Sequence, residues 1–347
     1  MIRYKCTVSY DGSAYCGWQT QNTGTSVQEQ IEAAVSHIMN RPVRILAAGR
    51  TDAGVNAWGQ VFQFDAEMDV SERKMMGAIN GSLPGDIRIR KVEKKDRLFH
   101  ARYCVRSKRY DYRINLGEYN VFTRTQAYQC PYPVDIEKMK QGAQYLIGTH
   151  DFTSFNSNSL KETPDQVRTI ESIDFLFENN LLTISYRGRG FLRYMVRMMT
   201  AQLLDVGRGK LKPEDIKRIL EAKSKTIARR NAHPEGLTLM EIDYYETLAL
   251  TETTAVREYL PEDALREGMV LSELEEAVRT GMYPQEYIIA DRHTNDPYGS
   301  YYLDETGGQF RLEKELEEAD LASLADQIRD AQRRRGLPET LKIAKKA

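Results

Sequence analysis

Cysteine and histidine are both scarce in this chain. Four cysteines (Cys6, Cys16, Cys104 and Cys130) are spread over 347 residues, with no CxxC pair and no metal-ligand spacing. Five histidines leave little for a zinc centre or a histidine-rich active site. Reduced structural thiols, and with them a cytoplasmic setting, are the expectation. No apolar run approaches the roughly 20 residues of a membrane helix, so no membrane role is expected. The opening residues Met1-Ile2-Arg3-Tyr4-Lys5 lead into alternation, not into the apolar stretch of a secretory signal. A Walker loop, a GxGxxG turn and a GxSxG elbow are also missing, which weighs against NTPases, Rossmann enzymes and α/β-hydrolases. No short-period repeat is evident.

What is present describes a soluble, folded protein. Hydrophobic residues make up 41% and charged residues 29%, in a chain long enough for about two domains. The formal net charge of −1 conceals an asymmetry. Residues 248–347 carry 21 acidic against 13 basic side chains, and residues 1–247 carry 29 against 36. A basic body therefore bears an acidic C-terminal segment. Excess Lys and Arg suit a surface that replaces counterions along phosphates, and they suit equally a domain kept soluble by its lysines.

Local patterns give the elements. Ile2, Tyr4, Cys6, Val8 and Tyr10 alternate with polar residues, which predicts a half-buried strand over 2–10, ended by Asp11-Gly12. Ser26 with Glu29 forms a capping box before the apolar stripe Val27, Ile31, Ala34, Val35 and Ile38, and Asn40 with Pro42 stops that helix. A glycine-containing loop is expected from Ala48 to Gly59, then a strand over 61–64. A strand over 110–114 puts Tyr110, Tyr112 and Ile114 on one face. Asp135 caps a helix with Ile136, Met139, Ala143, Leu146 and Ile147 inward, ended by Gly148. A hairpin over 170–177 and 181–186 turns at Asn179-Asn180. A long helix is expected over 192–206, a short one after Pro213, and another over 316–335 ahead of a lysine-rich end at 342–346. This mixture, without steady strand–helix alternation, predicts an α+β fold with mainly antiparallel sheets and a boundary near residue 105.

The stretch Gly49-Arg50-Thr51-Asp52-Ala53-Gly54-Val55-Asn56-Ala57 is the most unusual. Glycines bracket an Arg, a Thr and an Asp, as a close backbone approach to a ligand requires. A carboxylate held there can serve as nucleophile or general base, with Arg50 keeping it ionised or meeting phosphate. A plain turn, with the Asp capping local amides, has the same composition. His150-Asp151 after Gly148 reads as another capping turn. Trp18 reads as core or as an RNA contact, together with Gln19 and Gln21.

The same stretch, followed by Gly59-Gln60-Val61, closely resembles the signature of the tRNA pseudouridine synthase A (TruA) family. Further segments agree in order: Tyr10-Asp11-Gly12 with Gly17-Trp18-Gln19, Phe99-His100-Ala101-Arg102, Lys108-Arg109-Tyr110-Asp111-Tyr112, and Gly148 to Phe155. Val167-Arg168-Thr169-Ile170, Gly190-Phe191-Leu192, Met195-Val196-Arg197, Leu204 to Gly207 and Gly236-Leu237 complete the resemblance, which spans residues 2–247. It implies two similar halves, 1–105 and 106–247, with a cleft between them and the segment 248–347 as an addition. It also implies isomerisation of uridine to pseudouridine without a cofactor, most readily in the anticodon stem-loop of tRNA, by a homodimer.

By match to the family motifs, Asp52 is the catalytic carboxylate and Tyr110 the tyrosine that stacks on the target base. Arg50 helps displace that base and pairs near the aspartate, and Arg197 is the partner of Asp52. From the residues alone, Tyr110 is also compatible with a core-facing strand tyrosine, and Arg197 with a helix-surface arginine whose stem snorkels. Asn56 departs from the family, which usually carries His there. Rival readings are the same chemistry on ribosomal RNA, a non-catalytic RNA-binding protein, and an unrelated Asp-dependent glycosidase. The last needs a second facing carboxylate, which no motif supplies.

Overall fold

The computed structural model of the chain describes residues 2–21, 24–95, 99, 101–102, 105–159, 163 and 165–244. The acidic segment 248–347, with its expected helix and lysine-rich end, lies outside the described residues, as do His100 and Cys104.

The strands are β1 (Ile2–Tyr10), β2 (Leu46–Ala47), β3 (Asn56–Ala66), β4 (Ile87–Lys95), β5 (Val105–Asn115), β6 (Tyr128–Gln129), β7 (Gly148–Asp151), β8 (Val167–Glu178), β9 (Leu181–Gly188) and β10 (Leu237–Tyr244). The helices are α1 (Val27–Met39), α2 (Glu72–Ser82), α3 (Ile136–Gln144), α4 (Met195–Gly207) and α5 (Pro213–Glu221). The ten strands among the described residues share one sheet in the order β4-β1-β3-β10-β5-β9-β8-β7, with β2 beside β3 and β6 beside β5. The last strand thus returns to the middle. It runs parallel to β3 and antiparallel to β5, and joins strands from the two halves of the chain.

Residues opposite each other in a sheet point to the same side. The register links Ile87, Tyr10, Ala57, Leu239, Tyr110, Tyr186 and Ile173 in one line across seven strands. Every member of that line is buried. Their side of the sheet therefore carries the core, and the helices cover it. Val27, Ile31, Ala34 and Val35 of α1 and Met75 and Ile79 of α2 are buried there with Tyr4, Cys6 and Val8. In the other half the buried partners are Met139, Met199, Leu203 and Ile216, which join Tyr112, Ile184 and Tyr186. Each fully buried apolar side chain of this size contributes roughly 1.5–3 kcal/mol. Trp18 is part of the same core, 2% exposed, so its place there is structural.

The predicted capping box is present: the Ser26 hydroxyl accepts from the Glu29 amide at 3.2 Å, and Glu29 accepts from the Ser26 amide at 2.9 Å. Four expectations change. The loop expected to reach Gly59 ends earlier, because β3 begins at Asn56. Gly59 lies inside the strand, where a Cβ would sit 2.4 Å from the Met240 carbonyl oxygen; it marks a close crossing of β10, not a loop. The strand expected over 110–114 runs from Val105, the boundary expected between the halves. The helix after Asp135 closes at Gln144, and Gly148 opens β7 with φ +105°. The helix expected from Leu192 starts at Met195, since Tyr194 has a left-handed backbone (φ 63°) that a helix cannot run through. Among the described residues, no helix is long and apolar enough to cross a membrane.

Candidate active site

The loop Ala48–Val55 hangs between β2 and β3, and its shape is set by groups outside it. Lys108 Nζ donates to the Ala48 carbonyl at 2.9 Å, and Gln60 Nε2 donates to the Gly49 carbonyl at 3.0 Å. The Thr51 hydroxyl shares a 2.8 Å hydrogen bond with Tyr10, and its carbonyl accepts from the Trp18 amide at 3.1 Å. The Gly54 amide donates to the Tyr15 carbonyl at 3.3 Å. Gly54 itself has φ +75°, and a Cβ there would meet Pro234 at 3.0 Å, so both its backbone and its surroundings call for glycine.

This scaffold turns Asp52 toward the first turn of α4. Arg197 Nη1 donates to Asp52 Oδ2 at 3.3 Å, across 145 residues of sequence. Arg197 is 12% and Asp52 22% exposed at the side chain, so the pair is largely withdrawn from water. Arg197 is held from behind: its Nε donates to the Ala232 carbonyl at 2.8 Å, while its own carbonyl accepts from the Ala232 amide at 3.0 Å. The fork of a guanidinium serves both partners at once. Burial raises the Asp52 pKa above the ordinary carboxylate value, and the charges of Arg197 and Arg193 pull it back only in part.

Tyr110 is the middle tyrosine of the buried line. The outer two are tied down: Tyr10 to Thr51, and Tyr186 to Thr200 of α4 at 2.8 Å. Among the described residues the Tyr110 hydroxyl makes no such bond, and its ring meets Phe191 edge-on with centroids 5.2 Å apart. Burial raises its pKa, and the charges of Tyr10 and Asp52 add to the effect. Tyr110 is thus both the core-facing strand residue that its period implies and a neighbour of the carboxylate.

Arg50 is placed differently. It is exposed on the loop and makes no ion pair with Asp52 among the described residues; Arg197 alone does so. Partial burial, then the positive charges of Arg102 and Arg193, disfavour its own cation. The rim of the site is therefore rich in cations. Lys108, on the same face of β5 as Tyr110, belongs to it: burial and the charge of Arg102 bring its pKa down to about 8. Arg193 lies over the Tyr194 ring at 5.2 Å, as does Arg197. Sequence reasoning assigned no role to Lys108, Arg193 or Ala232. The available signal for Lys108 was its two-residue spacing from Tyr110.

His150 and Asp151 lie in β7, where a turn was expected, and Asp151 at its end closes a turn onto Thr153. His150 Nε2 hydrogen-bonds the Ile147 carbonyl at 2.8 Å, and Asp151 accepts from the Thr153 amide at 3.0 Å and from its hydroxyl at 2.6 Å. Among the described residues, no three His, Cys, Asp or Glu side chains converge as metal ligands. The site thus offers one carboxylate, an aromatic face and a cationic rim, a combination suited to a nucleoside flanked by phosphates.

The comparisons agree with that chemistry. The family model described as tRNA pseudouridine synthase matches residues 7–104 and 143–245. The tRNA pseudouridine synthase A of Exiguobacterium sibiricum is 42% identical over 247 residues, covering 71% of this chain and 98% of its own. That of Oceanobacillus iheyensis is 44% identical over 248 residues, with the same coverage. The tRNA pseudouridine synthase A 1 of a Bacillus cereus strain is 44% identical over 246 residues, 70% of this chain and 99% of its own.

Proposed function

The chain belongs to the tRNA pseudouridine synthase family, and from that premise we propose that Asp52 acts on the ribose of a target uridine. The enzyme is an isomerase that converts uridine to pseudouridine in tRNA. The N1–C1′ bond breaks, the uracil turns, C5–C1′ forms, and the proton lost from C5 is balanced by one gained at N1. Nothing is oxidised and no group is added. The observation that carries the assignment of Asp52 is its ion pair with Arg197: a largely buried carboxylate, aimed at α4, beside a guanidinium whose charge opposes the effect of burial. As nucleophile or base at the ribose it needs that charge.

Tyr110 offers its ring to the detached base, because its neighbours Tyr10 and Tyr186 are committed elsewhere. Arg50 reaches from the exposed part of the loop to fill the place the base leaves and to meet phosphate. The target lies on the 3′ side of the anticodon loop and stem. The halves 1–105 and 106–247 flank the cleft that receives it.

Release of tritium from uracil C5 reports the new bond directly. Purified protein is expected to release it from unmodified tRNA transcripts, and mapping should place the product in the anticodon stem-loop. Release from ribosomal RNA alone overturns the substrate, and release from neither overturns the activity. We further propose a cytoplasmic homodimer. Sedimentation should give the mass of two chains, and the mass of one at every concentration rules the dimer out.

A further inference from the structure

We propose that Asn56 is a positioning residue for the isomerisation, and that its amide holds the Asp52 loop in register with the backbone that anchors Arg197. This rests on the synthase reading above. Asn56 opens β3, four residues after Asp52, and is 5% exposed. Both ends of its amide are engaged. Oδ1 accepts from the Gly12 amide at 2.8 Å. Nδ2 donates to the Thr125 carbonyl at 2.7 Å and to the Glu235 carbonyl at 3.3 Å.

The three partners sit on three separate segments: the turn after β1, the loop between β5 and β6, and the turn before β10. Each leads to the site. Gly12 precedes Tyr15, whose carbonyl receives the Gly54 amide. Glu235 follows Pro234, against which Gly54 packs, and lies three residues beyond Ala232, the anchor of Arg197. Thr125 is tied to the first segment as well, its hydroxyl donating to Asp11 Oδ2 at 3.3 Å. One side chain thus links the loop of the carboxylate to the support of its cation.

The chemistry of the junction selects the side chain. One N–H and two carbonyls converge, so the residue must accept once and donate twice. An amide does this at every pH. A carboxylate accepts but faces two carbonyls with no donor. A neutral imidazole accepts once and donates once, and a protonated one loses its acceptor and meets the Gly12 N–H with another N–H. Asn56→Asp therefore breaks the link, while Asn56→His preserves most of it until the ring takes a proton. Asp11 and Tyr15, Arg50 and Asp52, Glu118, Tyr119 and Arg124, and His233 and Glu235 are the titratable or charged side chains of the segments that meet here, and all are common to the wild type and the variants.

The test is single-turnover conversion of a tRNA transcript, with tRNA affinity measured separately, for wild type, Asn56→Asp and Asn56→His from about pH 8 to below the ordinary histidine range near pH 6.5. Asn56→Asp should slow conversion about 30-fold with affinity within about threefold, as a misplaced catalytic group does. Asn56→His should stay within about fivefold at the upper end, then lose about tenfold more than wild type as pH falls through the imidazole range. A residue that merely supports the fold gives no such extra acid limb.

Conversion by Asn56→Asp within about threefold of wild type overturns the proposal, as does a constant ratio of Asn56→His to wild type at every pH. If Asn56→Asp does not fold, the presence or absence of that limb in Asn56→His decides. An inactive wild type is a different failure, that of the synthase reading, and the proposal falls with it.

Discussion

Asp52→Asn is expected to abolish pseudouridine formation while tRNA still binds and the fold stays intact. The amide is nearly isosteric and keeps an acceptor for Arg197 Nη1, now 3.3 Å away. What it lacks is the negative charge, and with it the nucleophilicity and basicity needed to attack the ribose or take its proton. Loss of an acting carboxylate of this kind costs at least about 10⁴-fold, roughly 5.5 kcal/mol of barrier. The effect on stability runs the other way. Asp52 holds its proton more tightly in the fold than an ordinary carboxylate does, because burial outweighs the nearby arginines. Its ionisation therefore weakens the folded state, and that loss grows as pH rises from the unfolded pKa through the folded one. At neutral pH the Asn variant should melt no lower than wild type. Conversion within about 100-fold of wild type removes Asp52 from the chemistry. A lowered melting point would instead trace the lost activity to the fold.

Residues with a local cause were legible in the sequence. β1 follows from strict alternation, α1 from a capping box and one apolar stripe, and the short helix α5 from its leading proline. The glycine-rich loop stood out from its composition, although composition alone left it as either a turn or a site. What could not be read locally depends on sheet order. Tyr110 lies between two committed tyrosines only because β10 returns between β3 and β5. The Asp52–Arg197 pair spans 145 residues, and nothing in its spacing discloses it; family resemblance supplied that pairing. The loop's composition already offered Arg50 as a partner of the carboxylate or of phosphate, but that it makes no ion pair with Asp52 among the described residues needed coordinates. Asn56 shows the opposite case. In the sequence it registers as a departure from the usual His, whereas its three partners lie 44, 69 and 179 residues away.

Arg197→Met should be nearly as damaging as loss of the carboxylate, but for a reason that pH can expose. The methionine keeps much of the stem's volume and removes both the charge beside Asp52 and the donor to Ala232. Burial, the larger influence on Asp52, then meets only the weaker attraction of Arg193, so the carboxylate's pKa rises further. Activity needs the ionised form, and it is lost as pH falls through that pKa. The acid limb of conversion should therefore move to higher pH than in wild type, with a loss of about 10³-fold near neutrality that shrinks as the medium is made alkaline. Arg197→Lys separates charge from geometry. Its ammonium still favours the carboxylate, but it lacks the planar fork that serves Asp52 and Ala232 together. Its limb should fall between the other two, with a residual deficit that alkali does not remove. Acid limbs at one common pH in wild type, Lys and Met would show that Arg197 does not set the ionisation of Asp52. The ordering of the three limbs isolates the electrostatic part of the pair, since the contact with Ala232 carries no net charge and contributes to the depth of the loss without moving its midpoint.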